Sequence, residues 1–85
     1  MENISILLLP DGTKLLTQIE EVMADIGEPD CKLVEPFVIN KDKTLTPWLL
    51  ELTNQNTFMM HSDKILTMCE PNGKLKDNYE TLVKG

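Results

Sequence analysis

No arginine occurs in this chain; all eight of its basic residues are lysines, against fourteen acids, for a net charge of −6. Without the planar guanidinium fork the chain lacks the side chain that reads phosphates and guanines bidentately, and its overall charge opposes simple phosphate binding. Cysteine is scarce, with Cys31 and Cys69 alone, no C-x-x-C pair, and one histidine. That set falls short of four tetrahedral ligands, which argues against a structural zinc site and against any resident cofactor. The longest apolar stretch, Ile4 to Leu9, is too short to span a bilayer, has no basic residue before it and no small-residue cleavage site after it. A cytoplasmic protein with reduced thiols is expected, with no membrane partner. Internal repeats, low-complexity tracts and phosphate-cradling glycine loops are also missing.

What remains is an ordinary globular composition, 41% hydrophobic and 26% charged, in 85 residues, enough for one domain. A chain this short buries only about 60% of the surface its unfolded form exposes, so partners are expected to contribute to its stability.

The chain is divided by clear turn signals. "ISILLL" ends at Pro10-Asp11-Gly12, where proline presets φ and glycine accepts the left-handed conformation of a tight hairpin. The segment 13–23 fits two patterns. Leu15, Leu16, Ile19, Val22, Met23 and Ile26 fall on one helical face, with Thr13 as N-cap and Gly27 as stop, but the hairpin sends the chain back beside the first strand. The hairpin decides for a strand. "CKLVEPFVI" carries Pro36, which cannot donate to a ladder and so marks an edge, bulge or bend. "LTPWLLEL", "NTFMMH" and "KILTMC" follow as short apolar runs between polar turns, a pattern that predicts a small all-β barrel or sandwich. After Pro71, Leu75, Tyr79, Leu82 and Val83 recur at helical spacing and predict a closing helix over about 72–84.

These stretches carry a resemblance. "SILLLPDGTKLL" is similar to the opening hairpin of Sm-like proteins, and "MMHSDKILTM" resembles that family's second signature, an apolar strand, a short polar turn and a final apolar strand. Over most of the chain, with Glu35-Pro36, Pro47-Trp48 and "ILTMCEPNGKLKDNYE" the most specific stretches, the sequence resembles the uncharacterised Sm-like proteins of marine cyanophages. The resemblance implies an all-β fold, a strongly bent five-stranded open barrel over about 3–70 with a short C-terminal helix, in the cytoplasm of the phage host. It also implies a homo-oligomeric ring in which "NTFMMH" of one subunit pairs with "KILTMC" of the next, so that Phe58, Met59, Met60, Ile65, Leu66 and Met68 become interface residues. Edge pairing has a physical rationale, since a closed ring leaves no strand edge exposed and adds buried area to a small domain.

Sm-like proteins hold bases between the loop after their second strand and the turn between their last two. Carried over, His61 takes the place of the basic residue and Ser62 that of a glycine. Lys64 follows in the turn, and Lys32 begins the next strand on the far side of the first loop. That loop, "MADIGEPD", has no asparagine and brings in Glu28 and Asp30. Each candidate also has a plainer account: His61 as a turn or interface histidine, Trp48 as core filler rather than a stacking platform, and Met59, Met60 and Met68 as core or subunit interface. The consecutive His61-Ser62-Asp63 cannot adopt nucleophile–base–orienter geometry, so no catalytic site is predicted. Two function classes remain: a ring binding single-stranded RNA or DNA, with a role in its processing, and an adaptor ring that contacts another protein. The fold resemblance favours the first. The charge balance favours the second.

Overall fold

The hairpin expected at Pro10-Asp11-Gly12 is present in the computed structural model, which describes residues 3–84. It joins β1 (Ile4–Leu8) to β2 (Lys14–Glu21). The Gly12 N–H donates to the Leu9 carbonyl at 3.0 Å and the Leu9 N–H to the Thr13 carbonyl at 2.9 Å, with Gly12 at φ +90°. Asp11 completes the turn by accepting the Thr13 N–H. The chain continues through β3 (Cys31–Ile39), β4 (Leu45–Pro47), β5 (Thr57–Met60), one 3₁₀ turn (Ser62–Lys64), β6 (Thr67–Cys69) and α1 (Gly73–Lys84). All pairings are antiparallel. The sheet order is β4-β3-β2-β1-β6, with β5 also on β3.

Six strands stand where the resemblance implies five. The nine-residue β3 is long enough to take two partners on one edge, β5 along Cys31–Val34 and the extra strand β4 along Phe37–Ile39. β4 stops after three residues because Pro47 and the left-handed Leu49, φ +60°, turn the chain away. Trp48 beyond it is half-buried against the core and meets Phe58 edge-on at 5.4 Å between ring centroids, the filler role rather than an exposed platform.

The segment 13–23 is a strand, shorter at both ends than expected, and its packing explains its helix-like pattern. Leu15 joins Leu7, Leu9 and Leu33 on one face of the sheet, while its neighbour Leu16 joins Ile4, Phe37 and Tyr79 on the other. A strand buried on both faces has no reason to alternate apolar with polar. Leu7, Leu15, Leu16 and Leu33 are all fully buried.

Pro36 lies at a bulge, as its missing N–H requires. The β2–β3 register slips between Leu16 and Gln18, Glu35 takes φ +52°, and the Thr17 hydroxyl lies 3.1 Å from the Val34 carbonyl. α1 packs over this irregularity. Asn72 caps it by accepting the Leu75 N–H at 2.9 Å, and the Tyr79 hydroxyl reaches the carbonyls of Glu35 (2.8 Å) and Val34 (3.1 Å). The row facing the core is Leu75, Tyr79 and Val83, spaced by four, with Tyr79 buried and the other two partly so. Leu82, expected on that face, is half-exposed, because it stands about 100° around the helix from Val83.

The hairpin between β3 and β4 repeats the geometry of the first with a lysine in the glycine position. The Lys43 N–H donates to the Asn40 carbonyl and the Asn40 N–H to the Thr44 carbonyl, both at 2.9 Å, and Lys43 sits at φ +70°. Lys43→Gly should therefore stabilise the fold by about 0.5–1 kcal/mol, raising the thermal midpoint by roughly 2–8 °C. Differential scanning calorimetry checks this; a fall would mean that the Lys43 side chain stabilises the turn more than its backbone conformation costs.

Among the described residues no helix is long and apolar enough to cross a membrane.

Candidate functional site

The predicted turn and the loop after β2 are joined by one carboxylate. Asp30, the last residue of the 22–30 loop, accepts the Ser62 N–H with Oδ1 and the Ser62 hydroxyl with Oδ2, each at 2.8 Å. These two residues lie 32 positions apart in sequence, so the contact fixes the turn after β5 against the start of β3. The bonds from Ser62 hold the Asp30 carboxyl below its ordinary value of 3.8, the backbone N–H contributing most and the nearby His61 least. A lowered value means that the latch is complete at neutral pH and is lost only as the pH falls through that value. Asp30→Asn should speed exchange of the Ser62 amide by about tenfold or more, and in the wild type the Ser62 amide resonance should titrate with a midpoint below 3.8. An amide indifferent to both changes would show the latch absent in solution.

Of the nucleic-acid candidates, His61 precedes the 3₁₀ turn and is half-exposed, Lys64 closes it and is exposed, and Ser62 spends its hydroxyl and amide protons on Asp30. Lys32 lies one strand away, paired in register with Met59 on β5 and Glu20 on β2. Glu28 is exposed in the same loop as Asp30. The turn thus sets Asp63 and the Asp30 carboxylate beside His61 and Lys64 rather than forming a purely basic surface.

Beside the latch opens a cleft of about 800 Å³. Ile19, Cys31, Ile65, Leu66 and Met68 give it an apolar lining, while Glu20 and Glu21 contribute acid. Burial pushes the Cys31 thiol up, with the charges of Asp30 and Glu21 adding to the effect, so it stays protonated and is no nucleophile at neutral pH. Among the described residues no group of three or more histidine, cysteine, aspartate or glutamate side chains is placed to hold a metal.

The six interface candidates divide into two groups. Phe58, Met60 and Ile65 pack against the core around Leu7, Leu9, Leu15 and Leu33. Met59 is 51% exposed, Leu66 62% and Met68 58%. Met68 is paired directly with the fully buried Leu7, so the two side chains share a face of the sheet. Leu66 donates its N–H to the Leu8 carbonyl and extends the same ladder. β5 and β6, the strands that carry these residues, lie at opposite ends of the sheet, which does not close on itself.

The latch and the acidic cleft are the features that sequence reasoning missed, for neither has a local spacing that announces it. No curated protein matches the chain. Residues 2–84 match a family of unknown function, DUF6561, and with almost its whole length covered the chain belongs to that family.

Proposed function

We propose that the protein is a ring-forming Sm-like barrel that binds single-stranded nucleic acid, RNA before DNA, near the ring's centre. The observation that carries this reading is the pair of sheet ends. β5 and β6 each have one edge without a partner strand among the described residues, and Met59, Leu66 and Met68 along them are apolar and exposed. Pairing β5 of one copy with β6 of the next satisfies both edges, and because the two edges differ, the contact is head-to-tail, the kind that forms a ring when its rotation closes. The strand order β6-β1-β2-β3-β5 supports the Sm-like reading, in which those same two strands join subunits. The latch supports the rest, since it holds together the loop and the turn that the resemblance assigns to nucleic acid, where Lys64 is exposed and His61 half-exposed. A ring repeats each weak contact once per subunit, and multiplicity offsets the modest charge of a single site.

One observation favours a second reading. The donors of Ser62 are already taken by a carboxylate and the adjoining cleft is acidic, which suits an adaptor ring that contacts another protein and no nucleic acid. Fluorescence anisotropy with short labelled U-rich and A-rich single-stranded RNAs separates the two. The nucleic-acid reading expects micromolar binding that weakens with salt and with His61→Ala/Lys64→Ala. No binding even at low salt would leave the adaptor.

A further inference from the structure

We infer that the cleft and the 22–30 loop at its rim form a docking surface for a segment of another protein that is apolar on one side and basic on the other. The inference rests on the adaptor reading and needs no ring. By strand register Ile19 pairs with Leu33 and Glu21 with Cys31, and alternation sets these four on the inner face of the sheet, with Leu7 and Leu15. Glu21 thus shares the face of the cleft's apolar lining, whereas Glu20 and Lys32 oppose each other on the other face and are no part of the site. Just past that pair the Val22 N–H donates to the Asp30 carbonyl at 2.9 Å, so residues 23–29 leave the sheet from the rim where Glu21 and Cys31 stand.

Exposure and charge together define the occupant. Met23 is 102% exposed and Ile26 106%, as open to water as in an extended chain. Single exposed aliphatic side chains are ordinary, but two on one loop, at the rim of a cleft lined by Ile19, Cys31 and Ile65, make a surface whose dehydration favours binding. The charge is one-sided. From Leu15 to Cys31 the chain carries five acids and no basic residue. Asp30 is engaged by Ser62 and Glu20 lies opposite Lys32, which leaves Glu21, Asp25 and Glu28, each exposed and without a side-chain hydrogen bond or ion pair among the described residues. Such a surface repels a polyanion or an anionic membrane and attracts lysine and arginine. The chain's own lysines do not suit it: Lys74 and Lys76 flank Leu75, whose side chain is packed on the core, and Lys41 and Lys43 enclose Asp42. A basic amphipathic segment from another protein meets both requirements, its apolar side on Met23, Ile26 and the cleft and its cations on the three acids.

A model ligand tests the surface. It is a labelled peptide of about fourteen residues with leucines spaced to share one helical face and lysines elsewhere, set against a peptide of the same composition in scrambled order. Fluorescence anisotropy should show the wild type binding the amphipathic peptide at least about tenfold more tightly than the scrambled one, and less tightly as salt is raised. Glu21→Lys/Asp25→Lys/Glu28→Lys and Met23→Ser/Ile26→Ser should each weaken that binding about tenfold or more, while Leu82→Lys on α1 binds as wild type does. Circular dichroism and thermal melts confirm folding, and the serine variant, confined to two fully exposed side chains, decides the matter should the lysine variant misfold. Equal binding of both peptides, or equal binding by all variants, overturns the docking surface and leaves the adaptor with some other face. If the substitutions weaken self-association in sedimentation and leave peptide binding unchanged, the occupant is a second copy and the inference is likewise overturned. RNA binding that depends on His61 and Lys64, with no discrimination between the peptides, overturns the adaptor reading as well.

Discussion

Tyr79→Ala should destabilise the protein by about 3–5 kcal/mol, the range for truncating a large buried aromatic. In a domain of this size that lowers the thermal midpoint by roughly 15 °C or more. Tyr79 is fully buried, meets Phe37 edge-on at 5.6 Å between ring centroids, and is the residue through which α1 closes the outer face over Ile4 and Leu16. Its hydroxyl lies against the carbonyls of Val34 and Glu35, where the ladder is interrupted by the bulge and Pro36 has no N–H to offer. Tyr79→Phe separates the two contributions: it keeps the ring and removes the hydroxyl, which the Val34 and Glu35 carbonyls share and which accepts from Gln18 Nε2 at 3.4 Å, for about 1–3 kcal/mol. Burial also pushes the Tyr79 phenol up. The folded state therefore holds this proton more tightly than the unfolded one, so the contribution is intact below about pH 10 and is lost as the pH rises through the raised value. Chemical denaturation of the wild type and both variants checks the order; an alanine variant as stable as phenylalanine would show that α1 is not docked through Tyr79.

The elements that sequence reasoning recovers are those governed by local chemistry. Pro10-Asp11-Gly12 can scarcely form anything but a tight turn, Pro36 cannot continue a ladder, and Leu75, Tyr79 and Val83 repeat at the spacing of a helix row. β2 was ambiguous for a physical reason: adjacent Leu15 and Leu16 serve two different cores, and the apolar pair that results imitates a helical face. The site was harder to see. Asp30 and Ser62 are polar, close to the surface and distant in sequence, and their partnership follows from the β3–β5 register, which sets Cys31 opposite Met60 and so brings the preceding aspartate beside the turn. The cleft is likewise assembled from distant stretches, Ile19 to Glu21 of β2 and Ile65 to Met68 at β6, which no local spacing links.

Leu66→Lys/Met68→Lys should leave the subunit folded and abolish its assembly. Both side chains are more than half exposed in the single chain, so the exchange there belongs with surface substitutions, which change stability by about 0.5 kcal/mol or less each. In the proposed ring the same positions lie under the β5 edge of the next copy, facing Phe58 and Met60, where two ammonium groups would be desolvated without partners. Desolvation of an unpaired charge costs several kcal/mol, and a loss of about 3 kcal/mol per contact shifts the association midpoint by roughly a hundredfold. Leu82→Lys provides the control, being half-exposed on α1 beside the 42–45 hairpin and on neither β5 nor β6, and it should assemble as wild type does. Sedimentation over a wide range of protein concentrations, with thermal melts of each variant, measures both halves of the expectation. If the double-lysine variant assembles like wild type, the β6 edge is not the contact. If it unfolds instead, Leu66 and Met68 belong to the subunit's own core, and their exposure in the single chain does not mark an interface.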